Sequence, residues 1–277
     1  MAESSSRDGD RSGAGGSVSR KGGGQRPNSP TRLVTVEHVA RVTPGLTRVT
    51  FTGDALAGFG PPRPGAHMKL LFAPEGSNWS PEDATAPRPQ RRTYTPRRFD
   101  PVRRRLEIEF VHHGDGLAAK WAAAAKPGDT LYINGPGGGY DVQLDATELF
   151  LIADDTAMPA AGTIIEAMPA GCRAVVLCEV ADAAERRPLS PLIEVSPTWL
   201  CRDGNNSIPG SMLENAARNL AAPSPTAYWW IACEAAAMRR IRHHLIGERG
   251  IEPARIHTRG YWKLGETAYP DHDFGKD

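Results

Sequence analysis

Near residue 147 the hydrophobic pattern of the chain changes period, and this change constrains the fold more than any other feature. Before it, apolar and polar residues alternate, as in Leu106-Glu107-Ile108-Glu109-Phe110, where the apolar side chains face one way and the acids the other. Leu33–Val39, Leu46–Thr52, Met68–Phe72 and Thr130–Ile133 repeat the pattern, and Pro44-Gly45, Pro61-Pro62 and Pro127-Gly128-Asp129 punctuate it. About six short strands in about 110 residues predict an antiparallel barrel or sandwich. Beyond residue 147 the apolar runs become continuous, in Leu149–Ala153, Ala174–Cys178 and Tyr228–Ala232, as strands buried on both faces require. Helical stretches accompany them at Ala157–Met168, Ser211–Leu220 and Glu234–Glu248, and a last strand is expected near Arg255–Thr258. Strands alternating with helices predict an α/β, doubly wound parallel sheet.

The 277 residues suffice for two domains, expected over 31–145 and 146–265. Residues 1–30 hold seven Gly and seven Ser, too little apolar surface to offset chain entropy, so a disordered tail is expected there and a short tail over 266–277. No apolar run approaches the ~18 residues of a membrane span, and the first ten residues lack the apolar stretch of a secretory signal. The four cysteines show no CxxC pairing, so a cytoplasmic protein with reduced thiols and no metal site is expected, with Cys172, Cys178 and Cys201 buried. The rings of His112 and His113 diverge at a strand end, Asp154-Asp155 lack further ligands at suitable spacing, and His243 and His244 read as helix-surface residues. No Gly-x-Ser-x-Gly or Ser-x-x-Lys motif offers a hydrolase nucleophile.

Net charge is only +1, but between Arg88 and Arg105 eight arginines face a single acid, Asp100. Such a segment serves an anionic ligand, nucleic acid, or a solvated face. Nucleic acid is the weakest of these, because no aromatics interleave in an RNA-recognition pattern and no helix-turn-helix pattern accompanies the charge.

Within this segment, Arg91-Arg92-Thr93-Tyr94-Thr95-Pro96-Arg97 places Arg92 and Tyr94 on one side of a strand, with Thr95 beside the turn at Pro96. Arginine forks onto pyrophosphate oxygens, a tyrosine ring lies against a flat heteroaromatic, and a threonine hydroxyl bonds a ring nitrogen. Next comes His113-Gly114-Asp115-Gly116-Leu117-Ala118-Ala119-Lys120-Trp121, where glycines lead into a helix of small residues. The free N–H groups of such a helix start bind phosphate. A plain structural turn with Trp121 in the core is the competing reading.

With these motifs in this order, the chain resembles the siderophore-interacting protein family, flavin-dependent ferric-siderophore reductases related to ferredoxin–NADP reductases. The resemblance runs from about Arg32 to Gly265. It includes Gly135-Pro136-Gly137-Gly138, Ala153–Ala160, Trp199-Leu200-Cys201-Arg202, Trp230–Ala235 and Gly260–Gly265. It implies an antiparallel six-stranded FAD-binding β-barrel followed by a nucleotide-binding α/β domain. It further implies that Arg92 holds the FAD pyrophosphate, Tyr94 lies against the flavin and Thr95 sits near flavin N5. His113, Gly114, Gly116, Ala118, Ala119 and Trp121 would hold the ribityl and diphosphate portions, and the Asp154-Asp155-Thr156 loop would reach the flavin from the second domain and line the nicotinamide pocket. Leu117 and Ala119 stand where the family has proline and serine, removing one hydroxyl-to-phosphate bond. Cys233 replaces a usual glycine and, with Glu234, would border and narrow the nicotinamide pocket.

The implied reaction passes electrons from NADPH or NADH through FAD to Fe(III) in a siderophore. Hard oxygen donors favour Fe(III), so reduction releases the iron. The cofactor would carry this chemistry, with no catalytic acid or base required. Arg97, Arg98, Arg259 and Lys263 are the candidates for capturing an anionic ferric siderophore. Two further readings are a general flavin or ferredoxin-type reductase, and a flavin-containing siderophore binder without turnover.

Overall fold

Alternation before residue 147 becomes seven strands: β1 (Thr31–Thr43), β2 (Leu46–Thr52), β3 (Ala66–Phe72), β4 (Gln90–Tyr94), β5 (Pro96–Asp100), β6 (Arg105–Val111) and β7 (Thr130–Gly138). The structure, a computed structural model, describes residues 30–74, 76–77, 79–83, 85–112, 116–205, 208–270 and 273–275. The expected N-terminal tail up to residue 29, and the candidates His113 and Gly114, lie outside the described residues.

The seven strands form one antiparallel sheet in the order β4-β3-β7-β1-β2-β6-β5. Its two edges, β4 and β5, are separated in sequence by Thr95 alone. Neighbouring Cα atoms lie about 3.8 Å apart, so the edges meet at Thr95 and the sheet curls into a barrel. Seven segments take the place of the six expected because this strand breaks at Thr95, where Pro96 brings no N–H to continue the ladder. Alternate residues fill the barrel, among them Val34, Val49, Phe51, Met68, Leu70, Leu106, Ile108, Phe110 and Ile133. Helix α1 (Leu117–Ala124) plugs one end. The Trp121 ring lies 5.8 Å from that of Phe110 and 6.0 Å from those of Phe51 and Phe72.

The continuous apolar runs become β8 (Glu148–Asp154), β9 (Arg173–Val180) and β11 (Ala227–Glu234), joined by β10 (Thr198–Cys201) and β12 (Ile256–Trp262) in a parallel sheet ordered β10-β9-β8-β11-β12. Helix α2 (Met158–Ile165) covers one face, packing Ala161 and Ile164 on Leu151, Val176 and Trp230. Helices α3 (Ser211–Arg218) and α4 (Ala235–His243) cover the other, packing Leu213, Met238 and Ile241 on Ile152, Leu177 and Trp229. Helices on both faces are what strands apolar on both sides require, and the doubly wound reading holds.

Three local expectations change. His243 is exposed as expected, but His244 is only 6% exposed, because α4 ends at His243 and a π-helical turn, His244–Glu248, follows. The wider turn takes His244 off the helical face that sequence periodicity assigns to it, and its Nδ1 stands 3.0 Å from Glu248 Oε2 and 3.1 Å from Arg218 Nη1. Cys178 is buried, whereas Cys172 and Cys201 are only partly so, since Cys172 lies in the turn before β9 and Cys201 on the edge strand β10. The end of the chain folds back on β12: Gly260 N–H donates to the Asp273 carbonyl (2.9 Å) and the Thr258 hydroxyl to the Phe274 carbonyl (2.6 Å).

Candidate functional site

The parallel sheet reverses its strand order between β8 and β11, and ligands of such sheets bind outside the carboxyl ends of the strands at that point. Asp154 ends β8 there. Its Oδ1 accepts the N–H and hydroxyl of Thr156 (3.0 and 2.6 Å), and its Oδ2 accepts the Glu234 N–H (3.0 Å) and the Trp262 indole N–H (2.8 Å). One carboxylate thus ties together the ends of β8, β11 and β12. Burial pushes its pKa up, while the bonds from Thr156 and Trp262 pull the other way. The resemblance pointed to the Asp154-Asp155-Thr156 loop; the loop was legible, but which of its residues is the hub was not.

Asp155 is engaged within the α/β domain. Its Oδ2 accepts Arg202 Nη2 at 2.8 Å, and Arg202 Nη1 reaches Glu179 Oε1 at 3.2 Å. Burial outweighs Arg202 and pushes the Asp155 carboxyl up to about 6. Glu234 is likewise occupied, accepting the Ala237 N–H (2.9 Å) as the cap of α4 and the Leu264 N–H (3.3 Å). Cys233 is 0% exposed and packs in the cluster that includes Leu213 and Met238, on the α3/α4 face. Its side chain therefore does not narrow a pocket at the strand ends, and burial holds its thiol well above the usual range.

The barrel meets this edge along β12. Alternate residues of that strand, His257, Arg259 and Tyr261, reach Tyr140, His67 and Thr95 of the barrel. Thr95, at the break between β4 and β5, is buried, and its hydroxyl is hydrogen-bonded to the Tyr261 phenol, which burial pushes up to about 12. Tyr261, Trp262 and His67 were not singled out from sequence, because their roles arise only when β12 docks on the barrel.

On the barrel side, Arg92 is half-buried, and its guanidinium donates to the Arg91 carbonyl (2.9 Å) and Gln90 Oε1 (3.1 Å), both on its own strand. No carboxylate among the described residues engages it. The Tyr94 ring packs 4.7 Å from Phe110, and desolvation raises its pKa. Helix α1 follows Gly116 as its N-cap, and among the described residues no side chain caps it and no acid stands in its first turn, an arrangement suited to phosphate. The Ala118 and Ala119 side chains face inward and are buried, leaving the backbone as the outward donor. Trp121 is half-buried and packs against the barrel core, close to the structural reading of that turn. A cationic strand edge, an uncapped helix start and a seam threonine fit a dinucleotide flavin.

The arginines beyond Thr95 do not face this edge. Arg97 is 7% exposed, with Nη2 donating to Glu166 Oε1 and the Leu189 carbonyl, both at 2.8 Å. Arg97 and exposed Arg98 line a cavity that includes neither Thr95 nor any β12 residue, so neither is placed to capture a ligand at the strand ends. Arg259 is half-buried, reaching His67 Nδ1 at 3.4 Å and lying over the Phe274 ring at 5.4 Å. Lys263 is partly exposed and pairs with Glu266 at 2.5 Å.

Comparison with known proteins agrees with this geometry. Residues 35–140 match the family model of the siderophore-interacting FAD-binding domain, and residues 146–265 that of the siderophore-interacting protein. The chain is 30% identical over 259 residues to the ferric vibriobactin reductase of Vibrio cholerae, covering 87% of this chain and 93% of that one. It is 28% identical over 242 residues to the NADPH-dependent ferric-chelate reductase of Escherichia coli, covering 83% and 92%. Among solved structures, a siderophore utilization protein from T. fusca superposes with a TM-score of 0.77 at 35% identity, covering 88% of this chain and 96% of that one. Phthalate dioxygenase reductase shares the fold, with a TM-score of 0.60 at 14% identity over 83% of this chain and 68% of that one.

Proposed function

The chain belongs to the siderophore-interacting protein family, and we propose that within it the protein is a ferric-siderophore reductase drawing on NADPH or NADH through FAD. The observation that carries this reading is the seam where Thr95 of the barrel meets Tyr261 beside the Asp154 switch point. The chemistry FAD supplies when bound is the conversion of a two-electron hydride donor into one-electron delivery to Fe(III). The chain's own work is binding and orientation. Arg92 and the leading N–H groups of α1 hold pyrophosphate, Tyr94 supplies a ring face, and the Thr95 hydroxyl fixes the position next to the reacting edge.

At the opposite wall, Asp154 locks the ends of β8, β11 and β12 against one another, so the surface that would receive the nicotinamide is rigid before binding. Arg259 and Lys263, on and just after β12, remain the cations suited to an anionic ferric siderophore, with Arg97 and Arg98 withdrawn from that role. Catecholate and hydroxamate oxygens favour Fe(III), so reduction weakens the complex and frees iron, which we place in the cytosol. A binder without turnover would follow from a nicotinamide pocket narrowed by Cys233, and the burial of that thiol under α3 and α4 speaks against it.

The test is anaerobic. Purified protein loaded with FAD is mixed with NADPH or NADH and the flavin absorbance followed, then a ferric siderophore is added with an Fe(II) trap. Bleaching followed by recovery of colour and trapped Fe(II) is expected. Bleaching with no recovery on any ferric siderophore points to a general flavin reductase, and no bleaching with either nicotinamide refutes the reductase reading.

A further inference from the structure

Behind β5, a cavity of about 340 Å³ lies between the barrel and the segment that follows β9. Arg48 of β2 and Arg97 and Arg98 of β5 form its barrel wall, and Arg187, followed by Pro188 and Leu189, forms the other. Four guanidiniums meet three carboxylates here. Glu109 takes Arg48 Nη2 at 2.5 Å and stands 3.8 Å from Arg187 Nη2, Glu107 stands 3.8 Å from Arg48 Nε, and Glu166 takes Arg97 Nη2 at 2.8 Å. Arg98 has no ion-pair partner among the described residues, so one positive charge is uncompensated.

Two donors are also unused. Arg97 Nη1 and Arg187 Nη2 are buried without a hydrogen-bond partner, on side chains only 7% and 9% exposed. A buried charged donor without an acceptor is costly, and these two come from opposite walls of one cavity. A halide offers no directed acceptors and a planar carboxylate offers them in one plane, whereas a tetrahedral oxyanion presents oxygens to both walls at once. We propose that this cavity is a binding site for a phosphate-type oxyanion, held by Arg97 and Arg98 from the barrel and Arg187 from the α/β domain. The anion binds the docked pair of domains and not the separated ones, so it stabilises the docked arrangement by mass action. This site is independent of the redox reading and stands or falls without it.

The test uses the FAD-loaded protein, so that the flavin's own phosphate positions are filled. Inorganic phosphate and chloride are titrated calorimetrically at matched ionic strength. Saturable one-site binding of phosphate, without saturable binding of chloride, is expected. Arg187→Gln and Arg98→Gln should each weaken phosphate at least tenfold, while Arg88→Gln, on the exposed segment before β4, leaves it unchanged. Arg98 is exposed and has no ion pair among the described residues, so its variant reports even where Arg187→Gln fails to fold. The proposal is overturned by the absence of saturable phosphate binding, by wild-type affinity in Arg98→Gln, or by equal weakening in Arg88→Gln.

Discussion

Replacing Asp154 tests whether the switch point is held by one side chain. Asp154→Ala removes the acceptor for the Glu234 N–H, the Trp262 indole N–H and both Thr156 donors. The Glu234 N–H is the costliest to strand, because that residue is buried and water cannot replace the carboxylate. A buried donor left unpaired costs about 1–3 kcal/mol. Trp262 and Thr156 are half-buried and recover part of their loss from solvent, adding about 1 kcal/mol each. Relief of the buried carboxylate, whose raised pKa marks its desolvation cost, offsets some of this. The net is on the order of 2–4 kcal/mol. Asp154→Asn should cost a similar amount, because its amide accepts on one side only and turns an NH2 towards donors on the other. Thr156→Ala, which deletes a single hydroxyl bond, should cost about 1 kcal/mol. Urea unfolding followed by tryptophan fluorescence suits the measurement, since Trp229 and Trp230 lie in β11 itself. With a slope of about 2–3 kcal/mol per molar, the midpoint of either Asp154 variant should fall by about 1 M. A fall below about 0.2 M in both Asp154 variants would refute the hub.

Arg92→Ala should lower FAD affinity roughly 30- to 1,000-fold, the loss expected of a bidentate contact worth about 2–4 kcal/mol, and a variant that purifies with full flavin rejects the assignment. Asp155 titrates near 6 when folded and near 3.8 otherwise, so the folded state binds the extra proton between these values. Stability should therefore fall as pH rises from about 4 to 6, by about 1–3 kcal/mol, and Asp155→Asn should flatten that slope in pH-dependent denaturation. Arg97→Met leaves Glu166 and the Leu189 carbonyl without their donor and should destabilise by about 2–4 kcal/mol in the same urea assay, whereas a neutral outcome would mean that the interdomain pair contributes nothing. Lys263→Ala should raise KM for anionic ferric complexes at low salt and lose its effect well above ~0.1 M; equal KM values at low salt exclude it from capture.

Both sheets were legible because their periods differ. Leu106, Ile108 and Phe110 are each 0% exposed, as two-residue alternation demands, and Leu149–Ala153 is buried throughout. β10 was not legible as a strand from periodicity, because four residues at a sheet edge leave little pattern. The placement of Arg92 and Tyr94 on one side of a strand, with Thr95 at its end, was legible from local spacing. Arg97 was misassigned because its partner, Glu166, is 69 residues away and enters only when α2 docks on the barrel. His244 failed for a local reason of another kind: an amphipathic helix predicts an outward ring only while the turn stays α-helical.

The break at Thr95 has a consequence for how this protein can change. The residue is a joint: it carries the chain from one border of the sheet to the other. Lengthening the chain there would free two strand borders to pair with other molecules. Residues on the barrel side of the reaction are thus bound to the integrity of the barrel itself. The α/β side, with side chains such as Arg259 and Lys263 whose replacement leaves every strand in place, is where a new substrate preference has room to arise.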